Sequence, residues 1–432
     1  MNKLILRLVV LTMIASLSFM GTALADANEV VALQNEMKVL KKELAGLKGE
    51  LKAIKSEKGK AAYIPAAPKD GGMISLPQNI NMGGYVETQW NNNFNQPNGV
   101  TGTNSLRIFD GNDGSFSLNA AEIFFEKPAE EIGDAGFRID IMYGSDTTTV
   151  AADGLTGDAV DLQQAYVEYI APLPNLFEND RFFPDSVKIQ AGRFVTLAGY
   201  EVIEGPDNWN ISRAMLFGLA IPFTHTGVRF NFGLLDDYFD VYFGINNGWD
   251  QAIDVNSDKT LEWGIGYEPI EDVSVFHAFY LGQEGAGNAT NRFLVTNVIQ
   301  WAATDKLTLV GDIDYGVDAN AFDPNSGDWY GFAGYANYQF TEKFAMTYRI
   351  EFFTDDSALR TGLADDHFVG NTITAEYKLT PNLITRAELR IDAASDRKVL
   401  SPGITDPIAG PSSGTGGDST QTTIGAQMIY VI

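Results

Sequence analysis

The sequence predicts an all-β protein, a 16-stranded antiparallel transmembrane β-barrel preceded by a short α-helical parallel coiled coil. Three observations predict it. The mean hydropathy of the 432 residues is slightly polar at −0.09, although 12% of them are aromatic. From residue 81 on, segments of about ten residues alternate apolar and polar side chains, the period of a strand with one dry face and one wet face. The connections between these segments alternate in length, long then short. Beyond the N-terminus no apolar run approaches the roughly 20 residues of a helical membrane span, which excludes a multi-span helical protein. A net charge of −26 argues against a nucleic-acid partner, because phosphate backbones reward Lys and Arg. With no Cys, disulfide scaffolds, zinc ribbons and thiol nucleophiles are excluded together.

Residues 1–25 have the build of a secretory signal. Lys3 and Arg7 precede the apolar stretch Leu8 to Met20, and Ala23-Leu24-Ala25 offers a small-residue cleavage site. Residues 26–60 predict a periplasmic coiled coil. Val30, Leu33, Met37, Leu40, Leu44, Leu47, Leu51 and Ile54 follow a 3-4 spacing without a break, a heptad seam at a and d. Glu36, Glu43 and Glu50 fall at g, each five residues before Lys41, Lys48 or Lys55 at e. That register is the pairing of a parallel self-associating coil, and it sets partner and orientation more than stability. Residues 61–79, with Pro65, Pro68, Gly71, Gly72 and Pro77, predict a linker. The signal and the coil each carry a net +2, so residues from 61 on carry −30.

Residues 80–432 supply the barrel. The predicted strands are 81–92, 114–126, 135–144, 160–171, 186–196, 223–232, 237–245, 259–267, 273–281, 291–302, 306–316, 327–339, 343–353, 368–378, 383–392 and 420–431. The last but one shows the alternation best. Leu383, Thr385, Ala387, Leu389 and Ile391 share one face, and Arg386, Glu388, Arg390 and Asp392 the other. Long connections follow the odd strands, whereas tight turns such as Ala303-Thr304-Asp305 and Phe340-Thr341-Glu342 follow even ones. An even strand count with this asymmetry is the layout of an outer-membrane barrel, in which closure gives every backbone amide a partner away from water. Tyr85, Trp90, Trp263, Tyr267, Trp301, Tyr315, Trp329, Tyr330, Tyr377 and Tyr430 lie near strand ends and are expected to form girdles at the headgroups.

Three stretches carry a family resemblance: Gly84-Tyr85-Val86-Glu87, the run from Ser115 to Glu122, and Asn210-Ile211-Ser212-Arg213 leading to Thr224-His225-Thr226-Gly227-Val228-Arg229. Through them residues 80–432 resemble the OmpL-like β-barrel porins. The arrangement is also similar to that of the phosphate-selective porins, which join an N-terminal trimeric coiled coil to a 16-stranded barrel; that similarity does not extend to phosphate selectivity. The resemblance implies a channel for passive diffusion of small hydrophilic solutes and ions in the bacterial outer membrane, as a homotrimer among lipid and lipopolysaccharide.

In such a barrel the loop 197–222 is the one expected to fold inward, with Glu201, Glu204 and Asp207 at a constriction and Trp209, Phe217 and Leu219 as anchors. The expected lumen charges are Arg138, Arg229, Arg349, Glu351, Glu376, Arg386, Glu388, Arg390 and Asp392. Acids on the loop facing arginines on the wall would set a transverse field, and the net charge favours cations. Alternatively, the wall charges only satisfy one another across strands. His225, His277 and His367 are scattered without metal-ligand spacing, so no metal, no cofactor and no enzyme activity are expected. Competing readings are an envelope tether, in which the coil contacts a periplasmic layer, and a sheath around an electron-carrying partner.

Overall fold

The computed structural model describes residues 74–76, 79–95, 103–153, 159–174, 184–235, 237–285, 290–319, 327–355, 357–362, 367–395 and 419–432. The signal 1–25, the whole seam from Val30 to Ile54 and most of 61–79 lie outside the described residues. A short strand β1 (Ile74–Leu76) is followed by β2 (Ile80–Asn93), β3 (Phe116–Lys127), β4 (Ala135–Tyr143), β5 (Val160–Pro172), β6 (Ser186–Val195), β7 (Thr224–Leu234), β8 (Phe239–Asn246) and β9 (Thr260–Ile270). The second half comprises β10 (Val273–Glu284), β11 (Thr290–Ala302), β12 (Leu307–Ala319), β13 (Gly327–Gln339), β14 (Phe344–Asp355), β15 (His367–Thr380), β16 (Leu383–Ala394) and β17 (Thr420–Val431). A single helical turn, α1 (Thr147–Val150), lies between β4 and β5.

Each of β2 to β17 pairs antiparallel with its sequence neighbour, and β17 closes on β2 from Thr423↔Asn93 to Val431↔Tyr85. The result is a closed barrel of sixteen strands without a free edge, as the alternation predicts, with every strand end within three residues of its expected position. One difference lies in the segment expected to be linker. Ile74–Leu76 pairs with Ile80–Met82, extending the sheet past the end of β17. The tight turns have local causes. Pro381 pre-sets φ in the β15–β16 turn, and the Thr380 hydroxyl accepts the Leu383 N–H at 3.0 Å. Thr341 does the same for Phe344 at 3.1 Å.

The two faces separate as the period requires. On β16, Arg386, Glu388, Arg390 and Asp392 are buried inside, while Leu389 and Ile391 stand outward. Trp301, Tyr315, Tyr330, Tyr377 and Tyr430 are exposed on the outside near strand ends. Tyr85 and Trp329 are not in a girdle. They are 4% and 0% exposed and point inward, because consecutive residues take opposite faces and Val86 and Tyr330 hold the outer positions.

Two irregularities shape the interior. Across β2–β3 the pairing steps from Glu87↔Ala120 to Thr88↔Leu118, leaving Asn119 as an extra residue. Across β4–β5 it steps from Asp140↔Gln164 to Ile141↔Leu162, which leaves Gln163 extra. Both are β-bulges, which re-aim side chains. Gln163 and Gln164 are accordingly both buried on the inner side.

Candidate functional site

The connection from β6 to β7, residues 196–223, folds into the barrel. Its amides and carbonyls bond to side chains around the inner wall. Leu197 N donates to Tyr280 Oη on β10 (2.9 Å), Gly199 N to Thr296 on β11 (3.1 Å) and Tyr200 N to Asp312 on β12 (3.0 Å). Further along, Met215 N donates to Glu351 on β14, and Asn210 Nδ2 to Thr374 on β15 (2.6 Å). The Glu388 carboxylate on β16 accepts from Ile211 N (2.7 Å) and Ser212 N (3.1 Å). On the far side of the lumen, Gln163 Nε2 on β5 donates to Glu204 Oε1 (3.0 Å). Buried backbone needs such partners, and the inward polar residues of the wall supply them. Gly205 marks the closest approach, since a Cβ there would lie 1.7 Å from Glu87 Oε2.

The loop's anchors are aromatic. Trp209 and Tyr335 both pack on Tyr200, with centroids at 5.4 and 5.0 Å. Phe217 meets Phe109 and Phe223, and the Leu219 carbonyl accepts from Arg360. The connection between β2 and β3 adds a second inward segment, on which Arg107 pairs with Asp110 and with Asp392 at 2.6 Å.

The wall charges occupy the inner face, but they do not stand opposite the loop acids across open water. Arg349 is wholly buried; it pairs with Glu201 on the loop (2.8 Å) and donates to the Ser212 carbonyl (2.6 Å). Arg390 is equally buried, between Glu351 (3.0 Å) and Asp392 (2.7 Å), and donates to the Arg213 carbonyl (2.7 Å). Arg386 pairs with Glu376 (2.9 Å) and donates to the Gly205 carbonyl (2.9 Å). These arginines pin the loop instead of facing it. The physical reason is that a loop crossing the lumen brings about a dozen backbone groups to the wall, and Arg forks satisfy several carbonyls and carboxylates at once. Away from this contact, Arg229 is bidentate to Glu262 (2.7 and 2.9 Å), and Arg138 holds Asp140 (2.8 Å) and Glu126 (3.1 Å).

Of the three expected loop acids, Glu201 is therefore consumed in docking. Asp207 is half-buried at the end of a 3₁₀ turn, with its N–H on the Glu204 carbonyl (3.3 Å). Glu204 points elsewhere. Its carboxylate, with those of Glu122 on β3 and Asp140 on β4, forms a group whose oxygens lie within 4.8 Å of one another. Asp312 and Asp314 form a second acidic pair on β12, both buried and without an ion pair among the described residues. Alternation alone places Asp140, Asp312 and Asp314 on the polar face, but their meeting with other acids depends on the loop's path. Gln163 was not detectable at all, because a bulge turns it inward.

Outside the strands, Asp250 caps the loop's exit by accepting from Phe223 N (2.7 Å) and Thr224 N (2.9 Å). Burial pushes its carboxyl up to about 6, against the opposing pull of those two amides and of Arg360. Burial also lowers Arg360 to about 10, helped by the neighbouring charge of Arg292. Arg360 and Arg292 both lie over Trp249 and Trp329.

A closed sixteen-stranded barrel, apolar outside and polar inside, with a long loop folded through the lumen, defines the porin class of membrane channel. Residues 79–432 match the family described as "Putative beta-barrel porin-2, OmpL-like", and the chain belongs to that family. It is thus a β-barrel porin of the outer membrane, a channel for small solutes. Solved structures share the fold at low identity. An anion-selective porin from Comamonas acidovorans aligns with a TM-score of 0.55 at 10% identity, covering 82% of this chain and 99% of that one. The outer membrane channel DcaP of Acinetobacter baumannii gives 0.52 at 14%, covering 82% and 97%. The trimer form of OmpT, an outer membrane protein of Vibrio cholerae, gives 0.54 at 10%, covering 82% and 99%. At such identities the likeness concerns the fold. Comparison with curated proteins returned no match.

Proposed function

We propose that this porin passes small hydrophilic solutes through a lumen constricted by residues 197–222, and that it favours cations. One observation carries the preference. The inward arginines Arg107, Arg138, Arg229, Arg349, Arg386 and Arg390 are each paired with at least one carboxylate. Glu122, Glu204, Asp312 and Asp314 have no ion-pair partner among the described residues. Arg213 on the loop and Arg360 at its exit bond only carbonyls among the described residues, but these four acids outnumber them. The unbalanced charge next to the loop is therefore negative, and a wet, narrow passage concentrates counter-ions of opposite sign. Reversal potentials across a planar bilayer in a KCl gradient test the reading. A potential of the sign that reports potassium preference supports it. Chloride preference overturns the selectivity, and absence of conductance overturns the channel.

The same reading makes the protein a homotrimer whose barrels are held in register by a periplasmic coil over 26–60. The heptad seam and its g-to-e lysine pairs support this. Deleting 26–60 should lower the oligomer seen by unheated gel electrophoresis in mild detergent, and an unchanged trimer would show that the barrel alone specifies assembly.

A further inference from the structure

We propose that Glu122, Asp140 and Glu204, together with Gln163, bind a divalent cation, calcium by preference, which ties the inward loop to the β3–β4 wall. The three carboxylates come from two adjacent strands and from the loop, yet their oxygens lie within 4.8 Å of one another. Calcium–oxygen distances of roughly 2.3–2.6 Å let oxygens on opposite sides of the ion stand that far apart, whereas magnesium demands a tighter octahedron. Arg138 is shared between Asp140 (2.8 Å) and Glu126 (3.1 Å), so the three carboxylates are only partly neutralised and their excess negative charge suits a divalent ion.

A second, independent observation points to a missing ligand. Gln163 is 0% exposed, and its amide nitrogen already reaches Glu204, but its carbonyl oxygen Oε1 has no partner. The β4–β5 bulge puts this neutral oxygen there; without the extra residue, it would face lipid. Glu122 Oε2 is likewise buried and unpartnered, as is the hydroxyl of Tyr85, the cross-strand neighbour of Glu122. Buried oxygens that accept nothing are costly in a folded protein, and a cation would satisfy the two that belong to Glu122 and Gln163 at once. Asp140 keeps a free lone pair after accepting from Arg138 and Gln164 (2.6 Å).

The site does not require that the barrel conduct. The test titrates calcium chloride into the full-length folded protein in detergent by calorimetry, after chelator treatment and dialysis. One site per chain is expected, with Kd in the range of about 10⁻⁴ to 10⁻³ M typical of extracellular calcium modules. Glu122→Gln and Glu204→Gln should each weaken binding roughly tenfold or more, because affinity follows ligand charge, while Glu342→Gln in the exposed β13–β14 turn should not. Heat-modifiable gel mobility checks folding, and since Glu204 is on the loop its variant reads the site even if the strand variant misfolds. No binding by the wild-type protein up to roughly 10 mM calcium, or binding untouched by the acid-to-amide changes, overturns the proposal. Conductance recorded on the same preparation separates this failure from failure of the channel reading.

Discussion

Replacing Arg349 by methionine should release the inward loop while leaving the barrel closed. The guanidinium bonds Glu201 (2.8 Å), the Ser212 carbonyl (2.6 Å) and the Ser212 and Thr372 hydroxyls (3.1 and 3.2 Å). Methionine fills similar apolar volume but leaves Glu201 buried against the wall without a cation. Glu351 loses less, because Arg390 remains 3.0 Å away. Breaking a buried pair from one side costs about 3–5 kcal/mol. The wall is held by its own ladders on β13 and β15, so that penalty falls on loop docking. At 1.4 kcal/mol per decade it corresponds to an opening equilibrium larger by about a hundredfold to a few thousandfold. Hydrogen exchange of the Ile211, Ser212 and Met215 amides reads it directly, because their acceptors are Glu388 and Glu351. Adding Glu201→Gln should recover part of the loss by removing the stranded charge. Loop amides that exchange at the wild-type rate in Arg349→Met would refute the view that this arginine pins the loop.

Two other predictions follow from the same structure. Burial raises the Asp250 carboxyl from 3.8 to about 6, so the folded state holds this proton more tightly than the unfolded chain. Its stabilising contribution is complete below about 3.8 and is lost as the pH rises through about 6, a change of at most about 3 kcal/mol. Asp250→Asn should flatten the dependence of Phe223 and Thr224 amide protection across that window; an unaltered profile would assign it to another group. On the outer face, Ile350→Arg should lower the stability of the barrel refolded in lipid vesicles by about 2–4 kcal/mol, since Ile350 stands outward in mid-strand. Wild-type stability in a urea titration would mean that this face does not meet hydrocarbon.

The barrel was legible because its signal is local. Period-two alternation on β16 and tight turns such as Thr380-Pro381-Asn382 are read from a few consecutive residues, and closure follows from the need to pair every amide. The interior was legible by face but not by partner. The sequence assigns Arg349, Arg386 and Arg390 to the inner side, and they are there. It cannot show that Ser212, Gly205 and Arg213 bring backbone carbonyls to them, because those contacts span 137 to 181 residues. Tyr85 and Trp329 leave the expected girdle for a simpler reason. An aromatic near a strand end reaches the headgroups only if strand parity turns it outward, and a side chain one position off lies on the other face. Gln163 escaped both kinds of reading, since a bulge breaks the parity that would have located it.

These contacts also change where the field in the lumen originates. If the arginines faced water, loop acids and wall bases would form a dipolar slit. In the fold, Glu201 lies against Arg349, and Arg390 is shared between Glu351 and Asp392. Their opposite charges largely cancel within about 3 Å of each other. What remains to act on a passing ion are acids without an ion-pair partner among the described residues, Glu122 and Glu204 on one side and Asp312 and Asp314 on another. Of these, Glu204 and Asp312 also hold the loop, through Gln163 and the Tyr200 amide. Selectivity and loop docking are then separable by mutation. Neutralising Glu201 should disturb the loop's position first and ion preference only as a consequence. Neutralising Asp314, which bonds no loop amide among the described residues, should shift the reversal potential toward chloride with the loop amides still protected. If both changes moved protection and selectivity together, the two roles would belong to one charge network and the division drawn from these contacts would be wrong.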